Sequence, residues 1–227
     1  MNKDDNRGSI TIVRSGVAAG YEGPRFFLTK GEKVEHATLK DMPKKHGAPP
    51  GSEVVPTPNA YMTDDAWNKI APAFAKGLRQ LPIVKDYPDL WMAITLDGYG
   101  SHLENEALQV FADHKILVVK EEGDTSQVCQ PYDKNVARED KRHHRNFLNG
   151  IRTQVHMVDQ NTLVLVANSA LNKVRPSQWR DSHDMCNLRP STRKPFNEYI
   201  QSVKDVGKLF LFLSYVHIMC AISYVYV

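Results

Sequence analysis

Short apolar runs alternate along the chain with segments in which apolar residues recur every three or four positions. Residues 10–13 (ITIV) and 25–29 (RFFLT) are rich in β-branched and aromatic residues and flank a glycine-containing segment, which predicts two antiparallel strands. Residues 90–96 and 116–119 are almost continuously apolar, as in strands buried on both faces, and residues 104–114 between them have helical spacing. This strand, helix, strand order predicts that the two apolar strands are parallel.

Two further segments have helical patterns, and one is typical of a loop. Residues 134–145 are strongly charged and are predicted to be helical, whereas residues 30–58 contain five prolines and are predicted to form a long exposed loop with short extended pieces. Thr63, before two aspartates, is a helix-capping residue, and apolar residues follow it at helical spacing: Trp67, Ile70, Ala71, Phe74, Ala75 and Leu78. The predicted fold class is therefore α/β, a mixed sheet flanked by helices.

The composition is that of a globular domain and does not by itself identify a partner. A chain of 227 residues, 41% hydrophobic and 24% charged, is long enough for one domain with a buried core and is not generally disordered. The net charge of +3 is small, so a nucleic-acid partner has to be argued from local clusters. Three distant cysteines predict neither a disulfide framework nor a zinc ribbon, and the N-terminus does not read as a secretory signal.

The last 19 residues, 209–227, carry no Asp, Glu, Lys or Arg. Their length just reaches that of a bilayer core, so a transmembrane helix that tethers the protein to a membrane is one interpretation. The polar residues Ser214 and His217, and the absence of a charged flank after the segment, argue against it. The alternatives are a buried terminal helix or strand, or a tail that is foreign to the native fold, such as read-through of a gene model.

Two aspartates follow predicted strands at positions suited to binding metal. Asp97 comes directly after the strand at residues 90–96, and Asp133 follows the next strand and its loop. Carboxylates at the end of a sheet can hold Mg²⁺, which prefers oxygen ligands and leaves water sites for a phosphate substrate. Taken singly, Asp97 is also explained by an Asp-Gly turn, and Asp133 by a helix N-cap.

The surroundings of both aspartates resemble a known family. The segments LDGYGSHL (96–103) and TSQVCQPYD (125–133) are similar to two motifs of the DDE superfamily endonuclease domain of pogo-like and jerky-like transposases, namely Asp-Asn-His-Ser-Ser-His and Thr-Ser-…-Gln-Pro-Leu-Asp. NAYMT (59–63) with Trp67, and a segment near the end that begins with Val174-Arg175-Pro176, add similarity in the family's order. The resemblance covers roughly residues 9–199, and four pieces in the right order make it fairly specific.

The resemblance implies an RNase H-like fold and an organisation of the chain. Residues 1–8 would be a disordered N-terminus, 9–147 a partial RNase H-like DDE domain, 148–205 the C-terminal helical part of that domain, and 209–227 the apolar tail. It further implies DNA as the partner and the nucleus as the location. A homodimer is left open, and the alternative location is a membrane, reached through the tail.

The resemblance also assigns roles to the aspartates. Asp97 and Asp133 would be the second and third acids of a three-carboxylate site that binds Mg²⁺ or Mn²⁺ and cleaves and rejoins DNA. The family's first acid lies on a strand ahead of residues 10–13, where this chain offers only Asp4 and Asp5, and nothing corresponds to the family's N-terminal helix-turn-helix region. The chain is thus expected to be a truncated copy with little or no catalysis. The alternative is a DNA-binding or interaction module that has lost the chemistry.

A basic cluster follows Asp133. Arg138, Lys141, Arg142 and Arg145, together with two adjacent histidines, are expected to follow a DNA backbone, and His102 to contact a phosphate or water. The alternative for the cluster is an ordinary solvated helix face with Glu139 and Asp140 as ion-pair partners, and that for His102 is packing on the following helix. No zinc is expected, because the spacing of the histidines and cysteines matches no ligand pattern.

Overall fold

The computed structural model describes residues 9–33, 39–96, 105–120, 131–152, 158–186 and 219–226. Two strands open the described chain, helices and strands then alternate up to its middle, and further helices and a last strand follow. In chain order the elements are β1 (Ile10–Val17), β2 (Phe26–Lys30), α1 (Met42–His46), β3 (Glu53–Thr57), α2 (Asp64–Arg79), β4 (Met92–Leu96), α3 (Asn105–Asp113), β5 (Ile116–Lys120), a π-helical segment (Tyr132–Val136), α4 (Ala137–Arg152), α5 (Gln160–Leu171), α6 (Pro176–Met185) and β6 (Met219–Tyr226).

The strands form one mixed sheet in the order β3-β2-β1-β6-β4-β5. β1 is antiparallel to β2, and β4 is parallel to β5, which confirms both pairings predicted from the sequence. β6 lies between these two pairs, antiparallel to β1 and parallel to β4. The α/β class and the mixed sheet with flanking helices are therefore present.

Alternate side chains of β1 pack into two hydrophobic cores, one on each face of the sheet. Val13 and Val17 pack on one face of the sheet against α2, whereas Ile10 and Ile12 pack on the other face against α4, α5 and α6. This is the two-residue period of a strand whose two faces are both covered. Helices thus cover both faces at β1.

Helix α2 begins where the capping sequence predicted. The Thr63 side chain accepts a hydrogen bond from the Ala66 amide at 3.2 Å, which satisfies one of the free N–H groups of the first turn. The apolar stripe behind the cap is buried and includes Trp67, Phe74 and Leu78. Phe111 of α3 contacts both aromatic rings of this stripe, with its ring centroid 5.8 Å from that of Trp67.

Two predicted segments are refined by the structure. Residues 30–58, predicted as a loop with short extended pieces, contain the strand β3, which pairs in parallel with β2, and also the helix α1, which the prediction lacks. Proline is tolerated in β3 because this strand lies at the edge of the sheet, where one row of amides needs no partner. The helix predicted over residues 134–145 is present; it begins with the π-helical segment and continues as α4 to Arg152.

Part of the apolar C-terminal tail is a strand in this structure. Residues 219–226 form β6, whose residues pair with β1 from Thr11 to Val17. Within the described ranges, no helix combines the length and the apolar composition that a bilayer crossing requires.

Candidate nucleic-acid interface

The structure places one of the two predicted metal-binding aspartates. Asp133 is exposed and lies within the π-helical segment, whose N-cap is Pro131, so the alternative explanation of Asp133 as a helix N-cap does not hold. Asp97 directly follows the end of β4 at Leu96 and lies outside the described residues, as does His102.

The π-helical segment is attached at the end of the sheet from which Asp97 continues. Gly16, Ala221 and Thr95 are neighbours across β1, β6 and β4, and Thr95 is the second-last residue of its strand. Arg14 lies two residues earlier on the antiparallel β1, which puts it toward the carboxyl ends of β4 and β6. Ligands of α/β sheets bind at this end.

Arg14 is the centre of a charge cluster buried beneath α4. Its guanidinium donates to Glu22 Oε1 at 2.7 Å and to the Asp140 carboxylate of α4. The Tyr132 hydroxyl donates to the same Asp140 oxygen at 2.9 Å. The residue preceding Asp133 is thus connected to β1 through Asp140.

Glu22 joins Arg14 to a second arginine. Arg25 makes two hydrogen bonds to the Glu22 carboxylate, at 2.6 and 2.7 Å. It also donates to the side-chain oxygens of Asn168 on α5 and of Asn172, the C-cap of that helix, at 2.8 and 2.7 Å. Every charged group in the cluster therefore has at least one partner of opposite charge, as buried ions require.

The cluster shifts the pKa values of its members in directions that follow from burial and charge. Burial favours neutral Glu22, but the charges of Arg14 and Arg25 outweigh this and lower its pKa from 4.5 to about 2. Burial raises the pKa of Asp140, and Arg14 and Tyr132 offset only part of that effect. Burial, with the Asp140 charge, raises the pKa of Tyr132 well above its usual value, so its hydroxyl remains a donor.

Trp179 of α6 covers the cluster and lies against a glycine. Its ring is 5.1 Å from the Arg14 guanidinium carbon, a cation–π distance, and 6.3 Å from the Tyr132 ring. A Cβ at Gly16 would come within 2.1 Å of Trp179 Cδ2. The close approach of the indole to β1 therefore depends on the missing side chain at position 16.

The outer side of α4 carries cations. Four cationic side chains on this side are exposed: Arg138, Lys141, Arg142 and Arg145. The last three follow Arg138 by three, four and seven residues, which places all four on one face of the helix. Seven residues of α-helix span about 10 Å, so these side chains form one short stripe. Because Asp140 faces inward, it does not reduce the positive charge of this stripe.

The histidines near this surface do not form a metal site with other described residues. His143 is half-buried beside Glu139 on α4, and burial lowers the pKa of His144, which favours its neutral form. His183 is buried and contacts the Trp179 carbonyl oxygen at 2.8 Å, while Cys186 is intermediate in exposure. Among the described residues there is no group of three or more His, Cys, Asp or Glu arranged to hold a metal ion.

The sequence did not point to the residues of the buried cluster. Arg14 directly follows the run that predicts the first strand, so its place inside β1 and its burial do not follow from the pattern. Asp140 is predicted only as a surface partner of the basic residues, whereas its partner is Arg14, 126 residues away. A buried arginine needs a counter-ion, but nothing in the sequence indicates which acid supplies it.

Comparisons of the chain with protein-family models, with curated proteins and with solved structures found no match.

Proposed function

We propose that this chain is a nucleic-acid-binding domain derived from a DDE-superfamily endonuclease, and that as this chain it does not cleave DNA. The exposed basic stripe of α4, which follows Asp133 directly, is the observation that carries the binding part of the proposal. The motif resemblance around Asp97 and Asp133 carries the family part, and with it a nuclear location.

The electrostatics of α4 support a polyanionic partner. Four cationic side chains lie on the outer side of one helix, and one of the two acids in its first turn, Asp140, is neutralised in the core by Arg14. Arginine and lysine on such a surface bind phosphates through charge-assisted hydrogen bonds and release counter-ions. These contacts position a protein on a nucleic acid without reading its sequence.

The topology supports the finer assignment to an RNase H-like fold. The sheet is mixed, helices lie on both of its faces, and the strand before Asp97 is parallel to β5. The π-helical segment with Asp133 is linked through Asp140 to Arg14, at the carboxyl end of β4 and β6. Under the proposal, Asp97 and Asp133 converge at that end.

The proposal includes a divalent cation, Mg²⁺ or Mn²⁺, held by Asp97 and Asp133. Asp133 fits this role because its side chain is exposed and its carboxylate oxygens are ligands that Mg²⁺ prefers. Asp140 does not fit, because it is buried and its Oδ2 accepts hydrogen bonds from Arg14 and Tyr132.

The proposed loss of cleavage follows from the number of carboxylates. The sequences of β1, β5 and β6 contain neither Asp nor Glu, so the strands closest to β4 supply no further acid. A site with two aspartates has one negative charge less than the family's three-carboxylate site. We therefore expect weak metal binding and no cleavage.

Binding of the full chain to a fluorescently labelled duplex, measured by anisotropy, tests the proposal. The double substitution Lys141→Ala and Arg145→Ala is expected to weaken binding roughly tenfold at low salt, because two phosphate contacts are lost. Lys69→Ala with Lys85→Ala is the matched control, since it removes the same charge from exposed positions elsewhere. Equal effects of the two double variants, or no binding by the parent, would refute the proposed interface.

Calorimetric titration of the full chain with Mg²⁺ tests the metal part separately. If the aspartates converge, Asp97→Asn and Asp133→Asn each abolish the heat of binding, whereas Asp113→Asn, on the exposed end of α3, leaves it unchanged. Binding that survives both substitutions would place the cation elsewhere.

A further inference from the structure

Glu139 lies among the cations of the α4 stripe. Its Oε2 accepts a hydrogen bond from Arg142 Nη2 at 2.6 Å and a second from Arg142 Nε at 3.1 Å. His143 Nε2 lies 3.1 Å from Arg142 Nη2 and 3.8 Å from Glu139 Oε2. The Arg142 guanidinium is therefore already engaged by an acceptor of its own helix.

The Glu139 side chain lies in a largely buried position beside α6. Gln178 of α6, whose side-chain oxygen accepts a hydrogen bond from the Arg175 amide at 2.7 Å, is one of the neighbours that lower the pKa of Glu139. The Glu139 side chain is only 16% exposed, although it belongs to the first turn of a surface helix. The hydrogen bond from Arg142 also holds the pKa of Glu139 below its usual range, so the group is ionised at neutral pH.

The other cations of the stripe are less restrained. Arg138 Nε is 3.9 Å from Glu139 Oε1, too far for a hydrogen bond, and its side chain is 78% exposed. Within the described residues, neither Lys141 nor Arg145 forms an ion pair. The Arg145 side chain donates a hydrogen bond to the Lys141 carbonyl oxygen. Lys141 and Arg145 can thus reach a ligand without leaving a carboxylate, and Arg138 gives up only its 3.9 Å contact with Glu139.

We infer that Glu139 is a built-in counter-ion that competes with nucleic-acid phosphate for Arg142 and so limits the affinity of the α4 surface for duplex DNA. This inference rests on the proposed function and deepens it, because it assigns different roles to the four cations of the stripe. Arg138, Lys141 and Arg145 contact backbone phosphates, whereas Arg142 remains with Glu139. A phosphate can gain Arg142 only by displacing the Glu139 carboxylate, which accepts two hydrogen bonds from it.

Neutralising Glu139 is the decisive change. In the full chain, Glu139→Gln keeps the length of the side chain and its capacity to accept a hydrogen bond, but removes the charge that retains Arg142. Duplex affinity at low salt is expected to rise about fivefold, and the slope of log affinity against log salt to steepen by about 0.9, which corresponds to one added phosphate contact. Thermal unfolding of each variant verifies that the fold is retained.

Three controls separate competition for Arg142 from a general change of charge. Glu106→Gln removes one negative charge from an exposed position on α3 and is expected to leave affinity within about twofold. Glu139→Asp keeps the charge and is expected to stay near the parent. Arg142→Ala in the Glu139→Gln background is expected to abolish most of the gain, as a double-mutant cycle requires for coupled residues.

The outcomes distinguish this inference from the proposal beneath it. If the parent binds the duplex and Glu139→Gln does not change its affinity, the counter-ion role is wrong and the interface stands. A gain that Glu106→Gln reproduces, or that survives Arg142→Ala, likewise overturns the counter-ion role alone. If neither the parent nor any variant binds, the proposed function fails and this inference fails with it.

Discussion

Arg14 on β1 and Asp140 on α4 form an ion pair buried between the sheet and its helical layer, 126 residues apart in the sequence. Adjacent acids on α4 therefore have opposite roles, because Asp140 neutralises a core arginine while Glu139 binds a surface arginine. The pair fixes which side of α4 faces the solvent. It thereby determines that the exposed side is the basic one.

Replacing Arg14 by methionine is expected to destabilise the protein by about 3–5 kcal/mol, because Asp140 is left buried without its cation. Equilibrium unfolding in urea measures the change. Combining Arg14→Met with Asp140→Leu removes the orphaned charge and is expected to recover part of the loss. A single-variant loss below about 1 kcal/mol would show that the pair is not buried as described.

Glu22 is expected to give the protein an acid-sensitive stability. Its pKa in the folded protein, about 2, is below the ordinary value of 4.5, so its stabilising contribution is complete above pH 4.5 and is lost as the pH falls toward 2. Asp140, with its raised pKa, contributes in the opposite direction. Unfolding free energies measured from pH 7 to pH 2.5 should therefore fall less steeply in Glu22→Gln than in the parent. Identical pH profiles would contradict this.

Substitution by alanine is expected to change the stability of the protein in opposite directions at two glycines. At Gly16 the added methyl group would overlap the Trp179 ring, so Gly16→Ala is expected to cost about 1–3 kcal/mol or more. At Gly150, inside α4, no described atom beyond the chain neighbours and the helix's own backbone lies within 4 Å of the added Cβ, and alanine is expected to stabilise by about 0.5–1 kcal/mol. Thermal and urea unfolding measure the stability change of each variant. A neutral Gly16→Ala would mean that the indole does not lie against β1.

Much of the fold was predictable because local patterns coincide with tertiary ones. The cap at Thr63, the parallel apolar strands and the antiparallel pair at the start all follow from spacing and side-chain type. The prediction for residues 30–58 lacks the helix α1 because the five prolines of this segment indicate a loop, and it does not give the pairing of β3, which depends on the position of this strand at the sheet edge. The C-terminal tail was ambiguous because a neutral apolar run suits a bilayer and a buried strand equally.

The candidate site was less predictable than the fold. The exposed cations of α4 follow from their spacing along a charged helix, and Glu139 was recognised as a potential ion-pair partner. The inward direction of Asp140 could not be derived, since it depends on an arginine on β1 that is distant in sequence. The metal site formed by Asp97 and Asp133 remains a prediction from the sequence motifs.

Removal of the apolar tail, which contains β6, is expected to disrupt the sheet. Because it lies between β1 and β4, removing residues 209–227 would leave two smaller sheets with unpaired facing edges. The truncated chain is expected to lose its cooperative urea transition and to exchange the amides of β1 and β4 much faster than the parent. Retention of the parental transition would show that the sheet does not depend on this strand.

The salt dependence of duplex affinity, measured on the full chain, tests the central claim most directly. If Arg138, Lys141 and Arg145 each contact a phosphate, log affinity should fall linearly with log salt with a slope of about −3. Replacing these three residues by alanine should bring the slope close to zero, whereas Lys69→Ala with Lys85→Ala should leave it unchanged. A parent that does not bind, or a slope that the triple variant does not reduce, would contradict the assignment of α4 as the nucleic-acid interface.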